Sequence, residues 1–482
     1  MLRRTKIVAT LGPATDDPEM LDAIIQAGVD VVRINFSHGD HEEQVVRAET
    51  VRNRARAHGR QVGVIADLQG PKIRIDRFKE GKVCLEEGAT FTLDVNLGMN
   101  DGTIDAVGIT YKALTEDVNR GDTLLLDDGL IELWVEDVKP DKIITRVVVG
   151  GDLSNNKGIN RQGGGLSARA LTDKDRADIK VAARLQADYL AVSFPRSGAD
   201  IEEARQLLRE AGGHGGIIAK IERAEAVRNI EEILAVSDVV MIARGDLGVE
   251  IGDAELTGVQ KQIIYKARSM DRVVITATQM MQSMVDSQIP TRAEVFDVAN
   301  AVLDGTDAVM LSAETAIGQY PDKAVAAMDR ICRGAERQQA TMGPERRSYT
   351  RFDRVDEAIA KASMYTANHL GVKAIAALTE SGATPLWMSR ISSGIPIYSL
   401  TQHVSTRRKV TLYRGVYPVS FEFNTTDHME VNRDAIDELK RRGAVHDGDL
   451  VILTKGDLTG VAGGTNAMKI VRVGELEDSE DS

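Results

Sequence analysis

The stretch GIIAKIERAEAVRNIEEILAVSDVVMIARGD, residues 216–246, indicates the fold of this chain most clearly. Two apolar runs rich in β-branched residues, 216–222 and 238–246, stand at its ends, and each closes in charged residues. Between them, residues 226–235 have the apolar spacing of an amphipathic helix. A buried strand, a helix and a second buried strand form a parallel βα unit.

The same kind of run recurs along the chain. Six further examples bring the total to eight, at residues 6–12, 29–38, 62–68, 187–194, 273–280 and 307–315. Helix-like stretches such as 18–27, 201–211 and 258–269 lie between most of them. Eight βα units predict an α/β fold of the (β/α)8 (TIM) barrel type, with a doubly wound open sheet as the alternative.

One connection is much longer than the others. More than one hundred residues separate the third run, ending at 68, from the fourth, starting at 187. This stretch contains the alternating segments KVCLEEG (82–88), TFTLDVN (90–96), TLLLDDGLIELWVEDV (123–138) and KIITRVVVGG (142–151), separated by Gly, Asp and Asn turns. We therefore predict an inserted all-β lid domain, a β-barrel, at residues 71–167. Its glycine-rich exit, 150–165, is typical of a hinge.

A small α/β domain is predicted after the barrel. The barrel occupies residues 1–70 and 168–345, and the polar run ATMGPERRSYTRFD (340–353) is predicted to be a linker. The segments AIAALT (374–379), PIYSLT (396–401), VYPVSF (416–421), DLVILTKG (449–456) and MKIVRV (468–473) predict about five strands. Residues 346–482 should therefore form a C-terminal α/β domain.

Composition excludes several classes of protein. The chain has 482 residues and a net charge of −13, a poor match to nucleic acid or an anionic membrane surface, which require clustered cations. No apolar run approaches the ~18 residues of a membrane span, and the N-terminus lacks the pattern of a signal peptide. Cys84 and Cys332, the two cysteines, lie too far apart in sequence to indicate a disulfide framework, so we expect a cytoplasmic protein. The acidic tail, 475–482, is predicted to be solvated.

Polar and charged side chains cluster at the ends of the predicted barrel strands, where the active site of such a barrel forms. Because side chains alternate with period two, residues two apart share a face of a strand. The sets predicted to do so are Arg33 with Asn35 and Ser37, Lys220 with Glu222, Arg244 with Asp246, and Thr276 with Thr278. The other residues at or just after strand ends are Asp67, Arg74, Ser312 and Glu314.

These residues are the components of a phosphoryl-transfer site. Oxygen ligands without a Cys or His cluster suit a hard cation such as Mg²⁺. Arginine and lysine beside such a cation suit a phosphorylated anion. Structural ion pairs on the barrel rim are the alternative for any one pair, but they explain five such strand ends less well. No P-loop motif is present, so a nucleotide would be held in another way.

The chain resembles one family in six motifs that occur in the family's order and spacing. They are VRINFSHG (32–39), DLQGPKIR (67–74), KIE (220–222), ARGDLG (243–248), ATQM (277–280) and LSAET (311–315). On these it is identified as a member of the bacterial pyruvate kinases, with the resemblance covering essentially the whole chain. The resemblance implies a barrel, a mobile β lid and a C-terminal regulatory domain, usually in a homotetramer. It also implies transfer of a phosphoryl group from phosphoenolpyruvate to ADP, the last step of glycolysis, giving ATP and pyruvate.

The resemblance further implies a role for individual residues. Lys220 would stabilise the transferring phosphoryl group, and Glu222 and Asp246 would hold Mg²⁺, or Mn²⁺ in its place. Substrate contacts would come from Arg33, Lys220, Gly245, Asp246, Thr278, Ser312 and Glu314, of which Arg33, Lys220 and Thr278 would be catalytic. Nucleotide contacts would come from Asn35, Ser37, His38, Arg74 and Lys157. Thr278 would lie near the enolate carbon that is protonated after transfer.

Three departures from the family pattern bear on these roles. The lid has Asn160-Arg161-Gln162-Gly163 where the family usually has Asn-Leu-Pro-Gly, and 316–318 lacks a lysine that some members place at the nucleotide. The third concerns K⁺, which many members bind through residues matching Asn35, Ser37, Asp67 and the backbone of Leu68. Here Lys72 replaces the usual glutamate, which resembles the K⁺-independent branch. We therefore predict that K⁺ is not required.

The C-terminal domain contains a candidate effector loop. Thr379, Ser381, Gly382 and Thr384 follow a predicted strand and precede a helix, which is typical of a phosphate cradle. A simple helix cap would need only one of these hydroxyls. The resemblance favours a phosphorylated sugar as activator.

Two other functions are compatible with parts of this pattern. A Mg²⁺-dependent lyase or mutase acting on a phosphoenolpyruvate-like keto acid could use the same barrel ligands. A metabolite sensor that kept the barrel without its activity is the non-enzyme alternative. The lid residue Lys157 argues against the first, and the complete set of Lys220, Glu222, Asp246 and Thr278 argues against the second.

Overall fold

A computed structural model describes residues 2–339, 352–422, 427–457 and 463–475, and its first part contains two complete βα units and a third strand. Its elements are β1 (Lys6–Thr10), α1 (Pro18–Ala27), β2 (Val31–Asn35), α2 (His41–Ala57) and β3 (Gly63–Asp67). The Asp17 side chain caps α1 by accepting from the Glu19 N–H, and Gly28 ends it in the left-handed region with φ 120°. Every residue of β1 and β3 is buried, as expected for strands covered on both faces.

The inserted segment is built almost entirely of strands. Its elements are β4 (Lys82–Leu85), β5 (Thr90–Asp94), β6 (Ala106–Gly108), α3 (Leu114–Asp117), β7 (Thr123–Leu126), β8 (Ile131–Lys139), β9 (Lys142–Val149), β10 (Gly151–Ser154) and β11 (Ile159–Arg161). Six strands form one sheet in the order β11-β7-β8-β9-β5-β6, and β10 pairs with β4. In β8, Ile131, Leu133 and Val135 are buried whereas Trp134 between them is exposed, which is the alternation seen in the sequence.

The chain then returns to the barrel and closes it. The elements are α4 (Asp173–Arg184), β12 (Tyr189–Val192), α5 (Gly198–Glu210), β13 (Gly216–Ile221), α6 (Ala224–Arg228), α7 (Ile230–Val236), β14 (Val239–Ala243), α8 (Arg244–Ile251), α9 (Asp253–Ser269), β15 (Val273–Ala277), α10 (Arg292–Asp304), β16 (Ala308–Leu311), α11 (Ala313–Ala316) and α12 (Pro321–Gln339). The eight parallel strands follow the order β1-β16-β15-β14-β13-β12-β3-β2 in a closed barrel. The barrel prediction is confirmed, and the open-sheet alternative is wrong.

The C-terminal part is a five-stranded α/β unit, as predicted. Its elements are α13 (Val355–Leu370), β17 (Ala374–Leu378), α14 (Ala383–Ser389), β18 (Ile397–Thr401), α15 (Val404–Lys409), β19 (Val416–Ser420), α16 (His428–Arg441), β20 (Leu450–Gly456) and β21 (Thr465–Arg472). The strand order is β19-β18-β17-β20-β21, with β21 antiparallel to β20. Most of the predicted linker, the predicted boundary at 345/346 and all but the first residue of the acidic tail lie outside the described residues.

Several predicted strands are longer than the observed ones at their C-terminal ends. β14 ends at Ala243, so Arg244 and Asp246 lie in the first turn of α8, and the prediction that they share a strand face is wrong. β15 ends at Ala277, after which Thr278 enters the left-handed region with φ 65°. The prediction that Thr276 and Thr278 share a face is therefore also wrong. Polar residues follow both strand ends, Arg244-Gly245-Asp246 after β14 and Thr278-Gln279 after β15, but without a Pro they did not distinguish the last strand residues from the turn that follows.

We call the end of the barrel at which the strands begin the floor. Four aspartates lie there. Asp30, Asp188, Asp238 and Asp307 precede the alternate strands β2, β12, β14 and β16. Each carboxylate accepts a hydrogen bond from a backbone N–H of the neighbouring strand, at 2.8–2.9 Å, from Ile7, Val64, Ile217 and Val274 respectively. Each also pairs with an arginine, namely Arg3, Arg408, Arg205 and Arg390. Arg408 and Arg390 belong to the C-terminal domain, so two of the four pairs attach it to the floor.

Apolar packing closes the floor as well. Side chains inside the barrel such as Val8, Ile65 and Ile218 form one buried cluster with Met364 and Leu412 of the C-terminal domain. The buried Lys6 ammonium donates to the Val416 carbonyl at 2.6 Å, which adds a polar contact at the same junction. The opposite end, which we call the top, is therefore where the barrel can admit a ligand.

Within the part of the chain that the structure describes, every helix is too short or too polar to cross a bilayer.

Candidate active site at the top of the barrel

Lys220 is the centre of the site. It lies near the end of β13 with its side chain 11% exposed, and its Nζ is 3.0 Å from Glu222 Oε1 and 3.3 Å from Asp67 Oδ1. Burial opposes the ammonium charge, but the two carboxylates outweigh it and raise the pKa of Lys220. The site therefore contains a fixed positive charge in a water-poor position. The predicted shared face of Lys220 and Glu222 agrees with this contact.

Arg33 adds a second cation to the same cluster. Its Nε donates to Asp67 Oδ2 at 2.5 Å, and its Nη1 donates to Thr10 Oγ1 at 3.2 Å. Burial alone would raise the pKa of Asp67, but Lys220 and Arg33 hold it below its ordinary value. Asp67 is thus an ionised carboxylate that orients two cations, Arg33 from the adjacent strand β2 and Lys220 from β13 beyond β12.

Ser193 belongs to this cluster, although it was not among the predicted site residues. It follows β12, is 1% exposed, and accepts from Lys220 Nζ at 2.7 Å. Its hydroxyl in turn donates to the Leu68 carbonyl at 2.7 Å. The signal was available, because Ser193 lies at the end of the fourth predicted strand, where site residues are expected.

Thr278 and Gly245 meet across two neighbouring strand ends. The Gly245 N–H, in the first turn of α8, donates to Thr278 Oγ1 at 2.8 Å. The Thr278 hydroxyl donates to its own neighbour, the Ala277 carbonyl, at 2.6 Å. Two of the residues predicted to contact the substrate are therefore in contact with each other.

Glu222 and Asp246 have the chemistry of divalent-cation ligands. Burial raises the pKa of Glu222 despite Lys220, and the like charges of Asp246 and Asp67 add to the rise. Carboxylates that repel one another in a buried site are stabilised by a cation between them, and hard oxygen donors suit Mg²⁺ or Mn²⁺. No group of three or more such protein ligands occurs among the described residues, so two carboxylates would leave positions for substrate oxygens.

Lys72 lies at the same place but contacts a different carboxylate from the one predicted to bind K⁺. Its Nζ is 3.0 Å from Asp246 Oδ1, with the side chain 27% exposed. Leu68, whose backbone would be a K⁺ ligand, already accepts the Ser193 hydroxyl through its carbonyl. The lysine thus brings a positive charge to the carboxylates of the site.

The predicted nucleotide residues have hydrogen-bond or ion-pair partners outside the Lys220 cluster. Lys157 Nζ is 2.8 Å from Asp127 Oδ1, and Arg74 Nη1 donates to the Asn156 carbonyl at 2.8 Å, so both are anchored within the lid. Asn35 Oδ1 accepts from the Ser37 N–H at 3.1 Å, and His38 is exposed beside them.

Ser312 and Glu314 lie at the end of the neighbouring strand β16. The Glu314 carboxylate accepts from the Ser312 N–H at 2.7 Å and the Met281 N–H at 3.1 Å, and the residue is 1% exposed. The Ser312 hydroxyl is buried without a hydrogen-bond partner in the described structure. Glu314 therefore holds two loops together, and Ser312 retains a free hydroxyl.

The lid is attached to the helix that carries Asp246. The Gly163 N–H donates to the Glu250 carbonyl on α8 at 2.9 Å, and the Glu250 carboxylate accepts from the Ala224 N–H at 2.9 Å. Glu250 is 3% exposed, and burial raises its pKa to about 7. At the glycine-rich exit, Gly165 donates to Glu225.

The candidate effector loop lies in the C-terminal domain. Gly382 has φ 81° and precedes α14, and its N–H donates to Thr379 Oγ1 at 2.9 Å. Thr384 Oγ1 is 2.8 Å from Thr465 Oγ1, whereas Ser381 is half-buried beside the loop. The four residues share one turn, and two of the hydroxyls already have partners.

Comparison with known proteins agrees with this geometry. Residues 2–325 match the family model for the pyruvate kinase barrel domain, and residues 357–471 match that for the pyruvate kinase alpha/beta domain. The chain belongs to the pyruvate kinase family. It is 56% identical to "Pyruvate kinase II" of Salmonella typhimurium over 98% of this chain and 99% of that protein. It is 53% identical to a pyruvate kinase of Haemophilus influenzae, over 94% of this chain and 96% of the other.

Membership of the pyruvate kinase family identifies the chain as a phosphotransferase. It implies phosphoenolpyruvate, ADP and pyruvate as substrates and products, and dependence on a divalent metal in general. The lyase or mutase alternative finds no support in these comparisons.

Proposed function

We propose that this chain transfers the phosphoryl group of phosphoenolpyruvate to ADP at the top of its barrel, giving ATP and pyruvate. The proposal rests chiefly on the Lys220–Glu222–Asp67 cluster, in which a buried ammonium lies 3.0 Å from one carboxylate and 3.3 Å from another. A coupled assay for pyruvate formation tests it. Pyruvate should form only when ADP is supplied, and ADP-independent release would contradict the proposal.

The roles of the cations follow from the charge of the transferring group. Phosphoryl transfer spreads negative charge over the equatorial oxygens, so positioned cations lower its barrier. Lys220 would contact these oxygens, and Arg33 would bind the substrate phosphate. Ser193 would orient the Lys220 ammonium through its 2.7 Å hydrogen bond.

The substrate carboxylate and the enolate would lie toward α8 and β15. Gly245 and Asp246 would bind the carboxylate through backbone N–H groups at the start of α8. Thr278 would lie beside the carbon that receives the proton, with Ser312 and Glu314 supporting the neighbouring loop.

Glu222 and Asp246 would hold Mg²⁺, for which Mn²⁺ could substitute. When bound, the ion supplies neutralisation of phosphate charge. A direct test is Mn²⁺ binding measured by electron paramagnetic resonance, which Glu222→Gln with Asp246→Asn should weaken at least tenfold. Unchanged binding would contradict this assignment.

Lys72 would supply the charge that K⁺ provides in other family members. Its ammonium contacts Asp246, so a monovalent cation among Asn35, Ser37, Asp67 and the Leu68 carbonyl would meet an additional positive charge nearby. We therefore propose that the enzyme does not require K⁺.

The nucleotide would enter between barrel and lid. Arg74 and Lys157 from the lid side, with Asn35, Ser37 and His38 from β2 and its following turn, would contact ADP. Lys157 would have to leave Asp127 to do so. Removal of its charge, in Lys157→Met, should therefore raise KM for ADP more than KM for phosphoenolpyruvate.

The C-terminal loop would bind the phosphate of a phosphorylated sugar activator. Ser381, with the N–H groups beside Gly382, would contact the phosphate, while Thr379 and Thr384 hold the turn. Sugar phosphates should lower the phosphoenolpyruvate concentration for half-maximal rate, and Ser381→Glu should abolish that response. A saturation curve unchanged by hexose and pentose phosphates would contradict this proposal.

We also propose the domain boundaries 1–70, 71–167, 168–345 and 346–482, a homotetramer and a cytoplasmic location. Large exposed side chains on neighbouring barrel helices support self-association, since Tyr265 of α9 is 74% exposed and Phe296 of α10 is 76% exposed. Both cysteines are free, which suits a reducing compartment. Sedimentation velocity tests the assembly.

A further inference from the structure

Arg244 contacts the backbone of the adjacent strand end rather than the substrate position. It opens α8 and is 7% exposed. Its Nε donates to the Ala277 carbonyl at 3.3 Å, and its Nη2 donates to the Thr278 carbonyl at 2.7 Å. The same guanidinium binds both oxygens of Asp297, on α10, at 2.7 and 2.8 Å. One buried side chain therefore ties together α8, the end of β15 and α10.

The backbone that Arg244 holds has an uncommon conformation. Thr278 has φ 65° and Gln279 has φ 54°, both in the left-handed region. A β-branched residue such as threonine rarely adopts it, and such conformations persist only when the surroundings impose them. The Thr278 hydroxyl is bonded to Gly245 and Ala277, and Arg244 fixes its carbonyl. Both sides of the residue are thus constrained.

We propose that Arg244, oriented by Asp297, is a positioning residue that holds Thr278 in this conformation for the proton-transfer step. The inference rests on the proposed function, in which Thr278 lies beside the enolate carbon. In that step a proton from solvent forms a bond to carbon 3 as the enolate becomes the ketone, and the reverse step removes a proton from the pyruvate methyl group. Arg244 contacts neither Lys220 nor Glu222 in the described structure, so phosphoryl transfer and proton transfer should be separable.

Arginine is required here for a geometric reason. Its planar group can donate to backbone carbonyls and to both oxygens of one carboxylate at once, whereas a lysine ammonium cannot span them. Arg244→Lys should therefore behave like the loss of the contact. Asp297→Ala leaves the arginine in place but removes the carboxylate that orients it.

The experiment compares two partial reactions in Arg244→Lys, Asp297→Ala and the unmodified enzyme. Proton transfer is measured as exchange of the pyruvate methyl hydrogens into D₂O by NMR, in the presence of Mg²⁺ and ATP. Pyruvate formation from phosphoenolpyruvate gives kcat and KM. We expect exchange to fall at least tenfold and the solvent isotope effect on kcat to rise, with KM for phosphoenolpyruvate within threefold.

The matched control is Asp304→Ala, which removes an aspartate of the same helix that pairs with Lys261. This variant should leave the rate of hydrogen exchange and kcat within twofold of those of the unmodified enzyme. Chemical rescue gives a second readout, because millimolar guanidinium should restore part of the exchange in Arg244→Ala, and Na⁺ should not.

Two results would overturn the inference. One is exchange within twofold of the unmodified enzyme in both variants. The other is an equal loss of exchange and substrate binding with a lowered thermal midpoint and no rescue, which would make the pair merely structural. Failure of the unmodified enzyme to form pyruvate from phosphoenolpyruvate and ADP would instead contradict the proposed function itself.

Discussion

The two ends of the barrel contain similar residues in opposite arrangements. At the top, Lys220 and Arg33 converge on the single carboxylate Asp67, and further carboxylates lie near enough to repel one another. At the floor, each of four aspartates accepts from a backbone N–H and pairs with a different arginine. The floor distributes its carboxylates around the barrel, whereas the top concentrates them.

This difference separates stability from chemistry. A charged group that already has an ion-pair partner and hydrogen bonds interacts weakly with an added ligand. Removing that group, however, leaves its buried partner without a compensating charge. Concentrated charges bind a cation and an anion well because the site itself does not fully neutralise them. Replacements at the floor should therefore lower stability without changing the reaction, and replacements at the top should do the reverse.

The largest effect is expected at the floor, from Asp307→Ala. Asp307 is 1% exposed, accepts from the Val274 N–H at 2.9 Å and binds Arg390 through both oxygens. Removing one partner of a buried pair costs about 3–5 kcal/mol. The thermal midpoint should fall accordingly, while kcat measured well below that midpoint stays within about threefold of the unmodified enzyme.

The double variant Asp307→Ala with Arg390→Met is the control for this prediction. Removing both partners leaves no uncompensated charge, so it should regain much of the lost stability. A tenfold fall in kcat with an unchanged midpoint would contradict the assignment of the floor to stability.

The next prediction compares the loss of kcat on replacing two buried lysines, one at the top of the barrel and one at the floor. Lys220→Met should lower kcat by a factor on the order of 10²–10³, equivalent to about 2.7–4 kcal/mol, because a fixed charge beside the phosphoryl group is lost. Lys6→Met removes the floor lysine, whose Nζ donates to the Val416 carbonyl. It should leave kcat within about twofold. Steady-state kinetics at saturating substrates measures both, and equal losses would show that the two ends are not distinct.

Sequence predicted the barrel and the identity of the charged cluster because both depend on short-range patterns. Buried parallel strands are continuous apolar runs, and Lys220 and Glu222 are two residues apart on one of them. The pairing of particular carboxylates with particular cations was harder to predict from the sequence, since Lys72 and Asp246 are 174 residues apart. Their contact depends on how the lid sits on the barrel.

Two features could not be derived from periodicity. The turn into α8 and the left-handed Thr278 directly follow strand ends, and the two are joined by contacts between segments distant in sequence, from Arg244 to the Thr278 carbonyl and from the Gly245 N–H to the Thr278 hydroxyl. The floor pattern was also missed. Each aspartate precedes its strand as an ordinary turn residue would, and only the closed barrel brings a neighbouring N–H to it.

A smaller effect is expected at the top from Lys72→Glu. The unmodified enzyme should be nearly fully active with tetramethylammonium as the only monovalent cation. Two unit charges about 4 Å apart in a partly buried site repel by roughly 4 kcal/mol, so ammonium and K⁺ should not both be needed. The variant should lose activity and become stimulated by K⁺ about tenfold, or 1.4 kcal/mol.

Lys82→Glu, at an exposed lid lysine that pairs with Asp152, is the matched charge reversal and should create no K⁺ dependence. Strong K⁺ activation of the unmodified enzyme would instead identify Asn35, Ser37 and Asp67 as K⁺ ligands.

The smallest effect concerns the lid contact at Glu250, where burial raises the pKa to about 7 against the opposing Arg223. A carboxyl whose pKa is higher in the folded protein stabilises the fold while protonated and loses that contribution as pH rises toward the folded pKa. Glu250→Gln remains neutral and keeps an acceptor for the Ala224 N–H. The free energy of unfolding of the variant should therefore rise relative to that of the unmodified enzyme between pH 5 and pH 7, by at most about 1.4 kcal/mol per pH unit. Thermal or denaturant unfolding at each pH measures this difference. The control is Glu231→Gln, at an exposed carboxylate whose pKa is lowered by Lys266, and it should show no such rise. A stability difference for Glu250→Gln that does not change with pH would mean that Glu250 is charged throughout this pH range.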